Sequence, residues 1–193
     1  MVDYTLIIAY SGLALGASFL CSILEAVLLS TSHGHIAALK DTHPKVSDLW
    51  SQWKDDPERP LTAILTLNTI AHTVGALGVG AEVQTQFGGG MIVHVAAAVL
   101  TLAILLLSEI LPKTIGALYW RKLTIPSARI MKAMMFALWI IVKPIEITRS
   151  LLPAVETETV TRDELSVLAD IAEETDVIAV SYTHLTLPTK RVV

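Results

Sequence analysis

The chain has 193 residues, of which 53% are hydrophobic and 17% charged, with a mean hydropathy of +0.60 and a formal net charge of −4. This composition is too apolar for a soluble globular domain and predicts a membrane protein. The acidic balance, without a long basic cluster, excludes a nucleic-acid partner. The single cysteine, Cys21, excludes an intrachain disulfide and a cysteine-built metal site.

Three stretches are long and apolar enough to cross a bilayer, whose hydrocarbon core of ~30 Å takes about 20 helical residues. We predict spans at about 4–30, 61–81 and 91–111. The first stretch has no lysine or arginine before Lys40, so it lacks the basic start of a signal peptide. It is therefore predicted to be an uncleaved span.

The polar stretch 33–59 lies between the first two spans and contains Trp50 and Trp53 among charged residues. Its apolar residues recur at helical spacing between Pro44 and Pro57, which predicts short interfacial helices. Basic residues gather after the first and third spans and are absent from the loop between the second and third. The positive-inside rule then places the N-terminus outside and the C-terminal part in the cytoplasm.

The residues after the third span are predicted to lie outside the hydrocarbon core. The apolar run 133–142 is too short for a crossing, so we predict a belt helix at about 126–152 along the interface. A fourth crossing is the alternative, and it would place the C-terminus outside. The pattern of 156–180 predicts an acidic cytoplasmic helix. We expect 181–193 to be a non-native tail and the natural chain to continue further.

Polar residues recur on the predicted spans at helical spacing. Ser18, Ser22 and Glu25 share one face of the first span, and Asn68 and His72 are four residues apart in the second. Glu109 ends the third span, where a carboxylate is costly unless it is paired or binds a cation.

A structural alternative exists for each of these residues. Serine, asparagine and histidine often link helices, and Glu109 and Lys113 are spaced for an ion pair worth only about 0.2–0.5 kcal/mol. Together, however, hydroxyl, amide and carboxylate oxygens form the ligand set of Mg²⁺, Ca²⁺ or Na⁺. Proline at Pro112 adds a freed backbone carbonyl. The sequence has no hydrolase, phosphate-loop or zinc motif, so we expect a protein that is not an enzyme.

Three segments, namely 22–28, the stretch that Asn68 opens and 108–113, resemble the CNNM (cyclin M)/CorC family of magnesium transporters. The segment 22–28, Ser-Ile-Leu-Glu-Ala-Val-Leu, is similar to the family's signature near the end of the first span. Asn68 opens a stretch that resembles its second span. Residues 108–113, Ser-Glu-Ile-Leu-Pro-Lys, resemble its Gly-Glu-Ile-Ile-Pro-Lys motif in the third span. The resemblance covers about residues 3–178.

The resemblance implies a transmembrane domain over residues 1–155, assembled as a homodimer with one Mg²⁺ site in each protomer. By motif, the implied ion ligands are Ser18, Ser22, Asn68 and Glu109, with Glu25, His72 and Pro112 as accessory residues. His72 stands where many relatives have a second asparagine, which affects that ligand or the ion selectivity. The family's paired CBS domains are expected in the full-length chain and are missing here, so ATP binding is not expected.

The predicted function is export of Mg²⁺ across the plasma membrane by alternating access, coupled to Na⁺ entry. The alternative from another class is a membrane-anchored regulator or sensor that binds Mg²⁺ without transporting it. Ligand types alone do not separate the two functions, because a binding site and a transport site use the same oxygens.

Overall fold

The computed structural model describes the backbone of residues 4–150 and the side chains of residues 4–144. The predicted acidic helix at 156–180 and tail at 181–193 lie outside the described residues, as does the end of the predicted belt helix. The elements, in chain order, are α1 (Thr5–Ser30), α2 (His33–Leu39), α3 (Pro44–Asp55), α4 (Glu58–Phe87), α5 (Met91–Ala103), a π-helical segment (Ile104–Ile110), α6 (Leu111–Ala137) and α7 (Trp139–Ser150).

Three helical stretches of the described part are long and apolar enough to cross a membrane. They are α1, α4 and the continuous 47-residue run Met91–Ala137. Large apolar side chains point away from the protein on these stretches, including Leu77 and Val99. An outward surface of this kind is stable in lipid, where helices satisfy their own backbone hydrogen bonds. The prediction of an all-α membrane protein with three spans is therefore confirmed.

The helices extend further along the chain than the predicted spans. α4 begins at Glu58 and ends at Phe87, whereas the apolar stretch covers only 61–81. Glutamate and glutamine are good helix formers, so the helix continues past the apolar residues until a glycine ends it. Gly88, Gly89 and Gly90 all have positive φ, and they turn the chain from α4 into α5.

The third helical run departs from α geometry just before Pro112. The backbone N–H of Leu111 donates to the carbonyl of Leu106, five residues back, which closes a π-helical turn. Proline has no N–H to give to the carbonyl four residues before it, so the local hydrogen-bond pattern changes there. A second departure lies at Tyr119, with φ −106° and ψ 16°. After Tyr119, α6 continues as a helix through residue 126, where the belt helix was predicted to begin.

Close contacts between small residues set the register of α1 against the other two spans. A Cβ atom on Gly75 would meet the side chain of Ala14, and one on Gly116 would lie 2.8 Å from Ala26 Cβ. As residue numbers rise along α1, those of its partners on α4 fall: Tyr10 contacts Gly78, Ala14 contacts Gly75 and Ser18 contacts His72. The numbers of its partners on the third helical stretch, Met91–Ala137, rise instead: Ser18 contacts Ser108 and Ala26 contacts Gly116. α1 is thus antiparallel to α4 and parallel to the third run.

The largest buried cluster lies at the end of the bundle where α1 ends and α4 begins. It joins Leu24 and Leu28 of α1 to Ile64 of α4 and Met131 of α6. Trp50 of α3 is fully buried there, and its Nε1 donates to the carbonyl of Thr124 at 3.0 Å. The short helix α3 therefore attaches to α6 by a specific hydrogen bond as well as by burial.

Lys54 of α3 caps the end of the first span. Its Nζ donates to the carbonyl of Leu29 at 3.3 Å, near the C-terminal end of α1, where a cation interacts favourably with the helix dipole. Partial burial lowers the pKa of Lys54 from its ordinary value.

The contact between Gly75 and Ala14 predicts a large difference between two glycines of α4. Gly75→Ala forces a methyl group into α1, so we expect it to destabilise the protein by about 1–3 kcal/mol. Gly80→Ala is the control, because a Cβ atom there meets nothing within 4 Å. Thermal unfolding in detergent measures both. Equal unfolding temperatures for the two variants would contradict the close crossing of α1 and α4.

Candidate functional site

Ser18 of α1 is the centre of a hydrogen-bonded cluster that joins all three spans. Its Oγ lies 2.8 Å from His72 Nε2 on α4 and 3.1 Å from Ser108 Oγ in the π-helical segment. Ser18 is 0% exposed and Ser108 1% exposed, so these polar groups are sealed inside the bundle. Polar side chains buried at a three-helix contact are stabilised by such hydrogen bonds.

Ser108 contributes both its hydroxyl and its backbone carbonyl to this cluster. Its carbonyl stands four residues before Pro112, which has no N–H to donate, and Ser18 Oγ lies 3.5 Å from that carbonyl oxygen. The Ser108 hydroxyl also reaches the carbonyl of Ile104 at 2.7 Å. The π-helical segment thus presents backbone and side-chain oxygens towards α1.

Glu109 adds one carboxylate beside His72. Glu109 Oε1 lies 3.9 Å from the same Nε2 atom that faces Ser18. The side chains are part-buried, with 32% of Glu109 and 26% of His72 exposed. His72 therefore lies between the buried hydroxyls of Ser18 and Ser108 and the partly exposed carboxylate of Glu109.

Asn68 lies one helical turn before His72 on α4, and Ser22 lies one turn after Ser18 on α1. Ser22 is 2% exposed, and Asn68 Oδ1 is buried without a hydrogen-bond partner among the described residues. Since α1 and α4 are antiparallel and Ser18 is level with His72, the next turns place Ser22 level with Asn68. An orphaned buried carbonyl costs about 1–3 kcal/mol, so this oxygen is available to accept a hydrogen bond from water or to bind a cation.

Glu25 lies two turns beyond Ser18 and contacts Lys113 of α6. Its Oε2 is 3.2 Å from Lys113 Nζ, so the lysine spaced to pair with Glu109 instead contacts a carboxylate of α1. The pair is part-exposed, with 23% of Glu25 and 48% of Lys113 accessible. This ion pair connects α1 to the first turn of α6, next to the polar cluster.

The donor set of the cluster is oxygen-rich and low in charge. Among the side chains that the structure describes, those of residues 4–144, no group of three or more histidines, cysteines, aspartates or glutamates could hold a metal ion. A cation bound here would therefore be held by one carboxylate together with neutral oxygens, and would keep several of its waters. Mg²⁺ dehydrates reluctantly and is bound by few protein ligands in this way.

The structure places the predicted residues at two adjacent levels. Ser18, His72 and Glu109 come together directly, and the helix register places Ser22 level with Asn68. Pro112 is buried at the start of α6. Sequence reasoning did not single out Ser108 as a site residue. Its position four residues before a proline was the available signal, because that spacing frees its own carbonyl.

These features define a multi-pass membrane protein with a polar cluster inside its spans. Residues 10–181 match the family described as the Cyclin M transmembrane N-terminal domain, CNNM. The chain belongs to the CNNM family, which confirms the resemblance of its three segments. The family has a role related to transport of Mg²⁺ or other divalent cations, and the match covers its transmembrane domain.

A curated relative shares part of this sequence. The UPF0053 protein sll1254 of Synechocystis sp. is 30% identical over 113 residues, which are 58% of this chain and 32% of that protein. The chain therefore spans about a third of the length of that relative.

Proposed function

We propose that the protein transports Mg²⁺ out of the cell, with Na⁺ entry as the driving reaction. The proposal draws on family membership and on the cluster of oxygens from three spans. The ion would be bound by Ser18, Ser22, Asn68 and Glu109 and released to the other side by alternating access. Glu25 and Pro112 would act at the edge of this site.

The observation that carries the proposal is the buried Oδ1 atom of Asn68. It has no hydrogen-bond partner among the described residues, although almost all buried polar atoms in proteins have one. An amide oxygen is a hard ligand that suits Mg²⁺, and Ser22 on the facing turn of α1 offers a second. A cation with its waters would satisfy both oxygens.

Binding at Ser18 would compete with its hydrogen bond to His72. A serine oxygen that binds a cation directs its proton away, and the carbonyl of Ser108, 3.5 Å off, is available to accept it. His72 would then lose its contact with Ser18 and keep its proximity to Glu109. This role for His72 is to orient the oxygen ligands in the ion-free state.

The surrounding assembly follows the same proposal. The N-terminus would lie outside and the basic residues after the third span in the cytoplasm of a plasma-membrane protein. The protein would act as a homodimer, and paired CBS domains would follow in the full-length chain.

The test is Mg²⁺ flux into proteoliposomes that contain a Mg²⁺-sensitive dye. Ser22→Ala is expected to lower the flux by about tenfold or more, because it removes an oxygen ligand. Ser11→Ala is the matched control on the same helix, outside the cluster. The wild-type flux is expected to rise when an opposing Na⁺ gradient is imposed. Equal flux in the wild type and Ser22→Ala would contradict the site.

The same experiment separates transport from a regulator that only binds Mg²⁺. Such a protein would show Mg²⁺-dependent thermal stabilisation that Ser22→Ala weakens, but no flux in the wild type. Flux that does not respond to the Na⁺ gradient would remove the proposed coupling and leave the ion site in place.

A further inference from the structure

The outward face of α6 beyond Tyr119 carries a cluster of basic side chains. At about 100° per residue, Arg121, Lys122, Arg129 and Lys132 fall within roughly 100° of the helix circumference. All four are exposed. The opposite face of the same helix includes Ser127 and Met134, which are buried at 2% and 7% exposed. We call these four residues the basic face.

The segment of the chain that carries the basic face contains no acidic residue. Residues 111–144 contain six basic residues, Lys113, Arg121, Lys122, Arg129, Lys132 and Lys143, and no aspartate or glutamate. Lys122, Arg129 and Lys132 form no ion pair with any of the described side chains, those of residues 4–144. A surface with this much uncompensated charge attracts anions.

Two tryptophans of this segment contact basic side chains, and two exposed aromatic residues follow the basic face in the chain. Arg121 lies over the Trp120 ring at 5.2 Å, and Lys143 lies over the Trp139 ring at the same distance. Phe136 is 85% exposed and Trp139 53% exposed. Tryptophans paired with basic side chains are typical of the headgroup layer, where the ring contacts lipid and the cation reaches outward.

The position of this surface in the fold agrees with that layer. The buried side of α6 packs on the C-terminal half of α1 and the start of α4, at one end of the three spans. Its outward side therefore meets the bilayer where the hydrocarbon core ends.

We propose that the basic face and the adjoining aromatic residues bind the headgroups of anionic phospholipids. Charge complementarity favours phosphate-bearing anions, and the exposed Phe136 and Trp139 favour a molecule that also brings acyl chains. A free anion would use the cations and leave these aromatic side chains uncovered. This inference is independent of the proposed ion site.

The test uses the tryptophan fluorescence of the full chain in zwitterionic detergent micelles. Brominated phosphatidylglycerol quenches indoles within contact. Trp139 is exposed and Trp120, beside Arg121, is half-buried, whereas Trp50 and Trp53 are buried. We expect half-maximal quenching at a lower lipid fraction for phosphatidylglycerol than for brominated phosphatidylcholine. The double variant Arg129→Gln/Lys132→Gln is expected to weaken the phosphatidylglycerol effect by about fivefold per charge removed.

The control variant is Lys40→Gln/Lys45→Gln, which removes the same charge from exposed lysines among Asp41 and Asp48. It is expected to keep the preference for phosphatidylglycerol. Thermal unfolding in zwitterionic micelles is expected to match the wild type for both double variants. Equal quenching by the two lipids, or an equal loss in the control, would overturn the proposal. Relief of quenching by inorganic phosphate at constant ionic strength would overturn it in favour of a free anion.

Discussion

Asn68→Leu is expected to lower Mg²⁺ flux strongly without lowering the stability of the ion-free protein. Leucine has a similar size but no oxygen, so the site loses a ligand and the flux falls by about tenfold or more. The same change removes a buried carbonyl that has no hydrogen-bond partner among the described residues. Because such an atom costs about 1–3 kcal/mol, the unfolding temperature in Mg²⁺-free buffer is expected to stay equal or rise.

This pair of results separates an ion ligand from a structural residue. Gln84→Leu is the matched control, since Gln84 is an exposed amide on the same helix and its loss is expected to leave the flux intact. Asn68→Asp keeps an oxygen at the same place and is expected to retain flux. A variant Asn68→Leu that loses stability and flux together would show that the amide serves the helix packing instead.

Glu109→Gln is expected to lower the affinity for Mg²⁺ by about 100-fold or more. Loss of an outer-shell partner in a metal site already costs about 10–100-fold, and Glu109 is proposed to contact the ion directly. It is also the one acidic residue within 4 Å of the Ser18–His72 cluster in the described part. Without its charge, neutral oxygens alone would have to replace the lost hydration of a divalent cation.

The measurement for Glu109 is the Mg²⁺ concentration that raises the unfolding temperature half-way to its maximum. Glu82→Gln is the control, because it makes the same chemical change in α4 outside the cluster. The prediction fails if the midpoint for Glu109→Gln is the same as that for Glu82→Gln.

The sequence was sufficient to predict the class of fold. Three uncharged stretches of membrane length identified the spans, because lipid exposure imposes a strong and local rule on composition. Helix ends were less predictable. α4 continues to Phe87 and ends at Gly88, so a cap rather than hydropathy determines its length.

The neighbours of the candidate residues required the structure. Spacing places Ser18 and Ser22 on one face, but the close approach of Gly75 to Ala14 decides which residue of α4 they meet. Ser108 was not identified because a serine in a span commonly bonds the carbonyl one turn back, and Ser108 does so with Ile104. The contact between Lys113 and Glu25 depends on the parallel packing of α1 and α6, which sequence spacing does not encode.

The most direct test of the account is calorimetric titration of Mg²⁺ into the wild type and into Ser22→Ala, Asn68→Leu and Glu109→Gln, alone and in pairs. If oxygens from α1, α4 and the third run hold one ion, each single change weakens the same one-site binding. The losses of binding free energy in the paired variants are then non-additive, because the residues bind the same ion. Mg²⁺ binding that none of the three changes affects would contradict the account.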